Sequence, residues 1–225
     1  MKRHFLIILI LSGLAVHGQK KIELGLSLKP AISWLKPNTD EVESQGSRFG
    51  FTYGLVSNFN FGENYALGTG VDITTMGGKL RMNNLVDSTY KRQEVAYRLQ
   101  YIEIPITLRM RTKEIGYMVY YGHFGLTTGF NIGATAEYDP AGSNQGGEVD
   151  IQDEIALMNL ALNLGLGFQY NLSGTTNFVV GIHFHNGFLD ILTNKIPELS
   201  NPLDPGEKNI NANQNRLGLT LGVLF

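Results

Sequence analysis

From Met158 to Tyr170 the chain alternates without a break. Met158, Leu160, Leu162, Leu164, Leu166, Phe168 and Tyr170 fall on one side, and Asn159, Ala161, Asn163, Gly165, Gly167 and Gln169 fall on the other. Side chains on a β-strand switch faces at every residue, so this segment is a ribbon with one greasy face and one small or polar face. A soluble sheet can show the same alternation. The rest of the chain has to decide which solvent the greasy face meets.

The pattern recurs about eight times. Strands are expected near 22–34, 48–60, 64–76, 96–112, 115–136, 154–171, 177–188 and 214–225. In the first, Ile22, Leu24, Leu26 and Leu28 oppose Glu23, Ser27 and Lys29. In the fourth, Ile102, Ile104, Ile106, Leu108 and Met110 oppose Tyr101, Glu103, Thr107, Arg109 and Arg111. In the last, Leu217, Leu219, Leu221, Val223 and Phe225 oppose Arg216, Gly218, Thr220 and Gly222. The connections sort by length. Those after the second, fourth and sixth strands are short (61–63, 113–114 and 173–175), whereas 35–47, 77–95, 137–153 and 189–213 are long and polar. In an antiparallel barrel alternate connections share an end, so long extracellular loops and short periplasmic turns produce this order.

The N-terminus agrees. Lys2 and Arg3 precede the apolar run Phe5–Leu11, and Val16-His17-Gly18 precedes Gln19, the pattern of a secretory signal peptide over residues 1–18. That apolar stretch is too short to cross a bilayer as a helix, and no later run is long enough. Residues 19–225 then form one all-β domain: an eight-stranded antiparallel transmembrane β-barrel, an up-and-down meander with both termini periplasmic, in the outer membrane. Its 27 glycines suit a crowded lumen, and its 12 Phe and 10 Tyr suit two membrane interfaces. Trp34, Tyr53, Tyr65, Tyr170 and Phe225 are the expected interface anchors. Without Lys2 and Arg3 the chain has 16 basic and 20 acidic side chains, a charge of −4 that gives no footprint for nucleic acid. The absence of cysteine excludes disulfides, thiolate chemistry and a lipoprotein anchor.

An eight-stranded barrel is just wide enough to be filled by side chains, and a diffusion pore needs about 16 strands. The inward charges and imidazoles are Lys29, Arg48, Asp72, Glu103, Arg109, Arg111, His123, His183, His185 and Arg216. Out of water such charges must pair, so a structural plug held by ion pairs is expected. His183-x-His185 sets two imidazoles on one face, but no cysteine or third ligand supports a metal, and no cofactor is expected. His123, Ser143 and Asp150 could in principle form a rim catalytic group, yet nothing in their spacing selects them. Glu103 stands in an apolar strand beside Pro105, which marks a bulge or an edge-like site because proline cannot donate to a ladder.

Tyr101-Ile102-Glu103-Ile104-Pro105-Ile106-Thr107-Leu108 resembles the Tyr-Leu-Glu-Ile-Pro-Leu-Leu-Leu strand of the PorT-like outer-membrane barrels of the Bacteroidota. The Gly-rich strand Tyr120–Leu126 follows after a short turn, as in that family. Gly25-Leu26-Ser27-Leu28-Lys29-Pro30 also looks like the family's first strand, although Pro30 stands near its usual second glycine. The resemblance implies a barrel without catalytic residues, an accessory of type IX protein secretion with other components of that pathway as partners. A structural or adhesive barrel in the style of OmpX, acting through its loops, is the alternative, with a lipid-modifying barrel enzyme behind it. Outer-membrane lipid and the barrel assembly machinery are the expected general partners. The terminal Phe225 resembles the signal that this machinery reads. The 189–213 loop, with Pro197, Pro202 and Pro205, is expected to be irregular and a partner surface.

Overall fold

The computed structural model describes residues 22–38, 42–86, 89–140, 147–192 and 211–225. The expected signal peptide, Ser143 and the three loop prolines lie outside them. The described residues form nine strands: β1 (Ile22–Pro37), β2 (Val42–Asn60), β3 (Tyr65–Val86), β4 (Thr89–Arg111), β5 (Met118–Pro140), the short β6 (Glu148–Asp150), β7 (Met158–Ser173), β8 (Thr176–Gly187) and β9 (Ala212–Leu224). The eight long strands pair antiparallel with their neighbours; β1 pairs with β9 and β4 with β5, so the sheet closes on itself as a barrel. β6 adds to the side of β5 beyond the point where β7 ends. The short turns at one end contain Gly116 (φ 67°) and Gly174 (φ 57°), left-handed positions that glycine occupies without strain.

The outward faces match the sequence reading. Leu24, Leu26, Leu55, Leu67, Ile106, Leu126, Leu166, Ile182 and Leu219 all stand exposed on the wall. Aromatic rings mark both rims of this band. Phe61 stacks on Tyr65 (6.3 Å) and Tyr117 leans on Tyr170 (6.2 Å) at the short-turn end, while Trp34 stacks on Phe184 (6.4 Å) further up.

The strands are much longer than a membrane requires. β4 has 23 residues, about 75 Å of chain, whereas about 9–11 residues span a bilayer. The expected 77–95 loop is therefore wrong: β3 and β4 run on as a ladder to Val86↔Thr89. The polarity of the two faces exchanges along the way. On β4 the outward side changes from Ile102 and Ile104 to Gln100 and Arg98, while the inward side changes from Glu103 to Tyr101, Leu99, Tyr97 and Val95, all four fully buried. Above the lipid the outer face meets water and the inner face becomes the dry one.

That inner face is covered by the long connections. Ile151, Ile155, Ile191 and Leu192 fold inward onto Leu80, Met76, Val95 and Leu99, with Leu35 of β1 and Ala212 of β9 in the same cluster. Parts of 137–153 and 189–213 thus form a core, where the sequence suggested polar loops. Pro105 also differs from expectation. The β3–β4 register is the same on either side of it (Thr69↔Ile106, Asp72↔Glu103), so there is no bulge, only a gap in the pairing. The bulge lies instead at Gln100/Tyr101 against β5, where Ile132 is the extra residue. By register Pro105 falls opposite Gly70.

Candidate functional site

Within the lipid band most apolar residues face outward, so what the strands carry on the other parity, largely polar, faces the lumen. The result is a layered polar interior beneath the apolar head.

The uppermost layer joins opposite walls. Arg216 of β9 grips Glu103 of β4 with both ends of its guanidinium: Nη1 donates to Oε1 at 2.9 Å and Nη2 to Oε2 at 2.5 Å. Thr74 Oγ1 donates to Glu103 Oε2 at 2.9 Å and meets Thr52 Oγ1 at 3.0 Å. Arg216 Nη2 also lies 2.7 Å from His185 Nδ1. A guanidinium can only donate, so Nδ1 accepts and His185 carries its proton on Nε2. The side chains of Arg216 and Glu103 are 4% and 5% exposed.

Glu103 has Asp72 as its direct cross-strand neighbour. Two carboxylates so placed repel one another, and each is given its own cation: Arg216 for Glu103, and Lys29 for Asp72 at 2.6 Å. Lower down, Arg111 Nη1 donates to Glu23 Oε1 at 2.6 Å and Nη2 to Asn60 Oδ1 at 2.9 Å. The other two imidazoles are held by neutral partners. His123 Nε2 pairs with Asn163 Oδ1 at 3.1 Å, Asn163 donates on to Thr127 at 3.1 Å, and His183 Nδ1 meets Thr220 Oγ1 at 3.0 Å.

The two remaining arginines are arranged differently. Arg109 lies flat over the Tyr121 ring, 3.7 Å from its centroid, and Tyr121 in turn stacks on His123. Arg48 stands apart from these layers, at the foot of the apolar head, where its Nη1 reaches the Tyr97 carbonyl at 3.5 Å. Neither has a carboxylate within ion-pair distance among the described residues. Phe225 closes the last strand, its N–H donating to Leu24 O at 2.8 Å and its ring exposed on the wall.

Two sequence-level possibilities can be placed. The rings of His183 and His185 meet edge to face at 5.5 Å. Arg216 takes the Nδ1 lone pair of His185, and no group of three His, Cys, Asp or Glu fit for a metal occurs among the described residues. His123 and Asp150 are not brought together. Asp150 pairs with Thr135, twelve residues along β5 from His123 and about 40 Å away, and its Oδ1 accepts from the Gln152 N–H at 3.0 Å.

Sequence reasoning missed Tyr121 as the platform under Arg109, and Glu23 as the partner of Arg111. The inward parity of Glu23, Arg111 and Tyr121 was the available signal. Barrel closure, which decides who faces whom, was not available from any one strand.

A closed wall with an apolar belt, two aromatic rims and a polar interior defines a small eight-stranded barrel protein of the outer membrane. Residues 18–193 match the family described as outer membrane protein beta-barrel domain, and the chain belongs to that family. No curated protein sequence matches. Among solved structures, neisserial surface protein A is similar at 13% identity over 93% of this chain and 100% of that one, with a TM-score of 0.46. Ail, the attachment invasion locus protein of Yersinia pestis, is similar at 15% identity over 90% and 98%, with a TM-score of 0.34. The outer membrane protease OmpT from Escherichia coli is similar at 9% over 94% and 99%, with a TM-score of 0.38. The likeness is one of fold alone.

Proposed function

We propose that this is a non-catalytic integral outer-membrane protein that acts through its head above the bilayer, as a PorT-like accessory of type IX protein secretion. The apolar core that fills the extracellular mouth carries this reading. A transport path would have to cross Leu80, Leu99, Ile155 and Leu192, all buried together, and then the Arg216–Glu103 layer beneath. With the path through the barrel closed, the outer surface of the head is what remains for work, and the resemblance of Tyr101–Leu108 to the PorT-like strand supplies the pathway.

Deleting the gene and comparing culture supernatants by mass spectrometry tests it. Loss of secreted proteins sharing a C-terminal sorting domain, restored by the wild-type gene, is the expected outcome. An unchanged secretome would refute the secretion role. It would favour an adhesive barrel, a reading supported by Val149 and Leu157, which stand 48% and 71% exposed beside the mouth.

A further inference from the structure

Beneath the Arg216–Glu103 layer the side chains do not fill the lumen. A chamber of about 80 Å³ remains, lined among others by Lys29, Asp72, Arg109, Tyr121, His123 and His183. One water needs roughly 10–15 Å³ by this measure, so the space exceeds a single solvent molecule. On one side it meets an apolar cluster of Val56, Tyr121, Val179 and Leu224.

The charges around it do not balance. Lys29 and Asp72 neutralise each other, which leaves Arg109 as a cation of the lining without a counter-charge among the described residues. Arg109 is 7% exposed, and its Nε and Nη2 have no hydrogen-bond partner among the described residues. These two nitrogens form one edge of the guanidinium, the edge that grips a carboxylate or phosphate through two parallel bonds. The Tyr121 ring lies on the flat face of the guanidinium and leaves that edge without an acceptor. Ser27 Oγ, also in the lining, is likewise buried without a partner. A buried charge without a counter-charge is strongly unfavourable, and a cation–π contact offsets only part of the cost.

We propose that this chamber binds a small oxyanion, a carboxylate or a phosphate, whose two oxygens take the free edge of Arg109. The ligand reaches it from the short-turn end, past the partly exposed Arg111–Glu23 pair, because the apolar head closes the other end. The site is independent of the secretion reading, since it concerns the lumen and not the head.

The purified full-length barrel in phospholipid vesicles can be unfolded in urea while the fluorescence of Trp34 is followed. Sodium formate, sodium phosphate and sodium chloride are compared at matched ionic strength. A ligand that binds only the folded state raises stability with the logarithm of its concentration. The expected result is a midpoint that climbs with formate or phosphate relative to chloride in the wild type and in R48M, and stays flat in R109M. Should R109M fail to fold, the wild-type protein with ¹⁵N-labelled arginine gives a second reading. The Arg109 Nε resonance is expected to move and saturate on adding formate or phosphate. A resonance that does not respond, or equal midpoints in all three salts, would mean that the chamber holds water only and would overturn the proposal. Response to one anion but not the other identifies which chemistry the site selects.

Discussion

Replacing Arg216 by Met tests the polar layer most directly. Arg216 makes three charge-assisted contacts of 2.9, 2.5 and 2.7 Å, two with Glu103 and one with His185. Methionine fills a similar volume but leaves the Glu103 carboxylate with only the Thr74 hydroxyl, in a site the solvent barely reaches. Breaking one partner out of such a pair costs about 3–5 kcal/mol, most of it the penalty of the stranded charge. E103Q on its own leaves Arg216 without its anion and belongs in the same range. The double variant R216M/E103Q removes both charges, and replacing a whole buried pair is often close to neutral. The double variant is therefore expected to regain at least about 2 kcal/mol relative to R216M, the kind of coupling that residues in one network show. Urea unfolding in lipid vesicles, read by Trp34 fluorescence, measures all four proteins. A loss below about 1 kcal/mol in R216M, or a double variant no more stable than R216M, would show that water or another cation reaches Glu103 and would refute the reasoning.

Other outcomes are equally open to measurement. L80A removes a fully buried side chain from the head and is expected to cost about 2–5 kcal/mol; on whole cells the head should become sensitive to added protease while the membrane portion stays protected. G181A places a methyl group 2.5 Å from the Tyr121 hydroxyl and 2.7 Å from the Leu166 carbonyl. The Tyr121 ring and the β7 backbone must both give way, and a loss of about 1–3 kcal/mol is expected; no change in the urea midpoint would show that this packing is loose. In planar bilayers the wild-type protein is expected to give no porin-sized conductance steps, and steady open currents at neutral pH would contradict a lumen closed by the apolar head.

The membrane part was legible because lipid imposes one rule along every strand. Wherever the outward parity is Leu, Ile, Val or an aromatic, the two faces could be told apart from a single segment, as in Met158–Tyr170, and the recurrence of the pattern decided what the greasy face meets. The head was not legible for a reason of the same kind. Residues 95–101 alternate as cleanly as 102–110, but with the apolar members on the other parity. Their outer face meets water, so the alternation continued while its meaning reversed. Taking the polar outward run 77–95 as loop hid the first seven residues of β4, Thr89–Val95. Glu103 could be recognised as an inward carboxylate beside Pro105, and Arg216 as an inward cation. Their union across 113 positions depends on closure and shear, which no local pattern carries. Tyr121 was read only as part of a motif, because an inward tyrosine acquires a role only when Arg109 is known to lie above it.

The apolar head draws on Leu35 of the first long strand, Ala212 of the last, and two connections between them. It can be completed only after every hairpin has crossed the bilayer and the wall has closed. The residues that form it come from strands at both ends of the chain, so their packing depends on the wall being closed. Once packed they work as a rivet head. Drawing the barrel back would mean dismantling a dry core in water before any strand could return, so arrival on the cell surface is recorded in the structure as a step with no easy reverse.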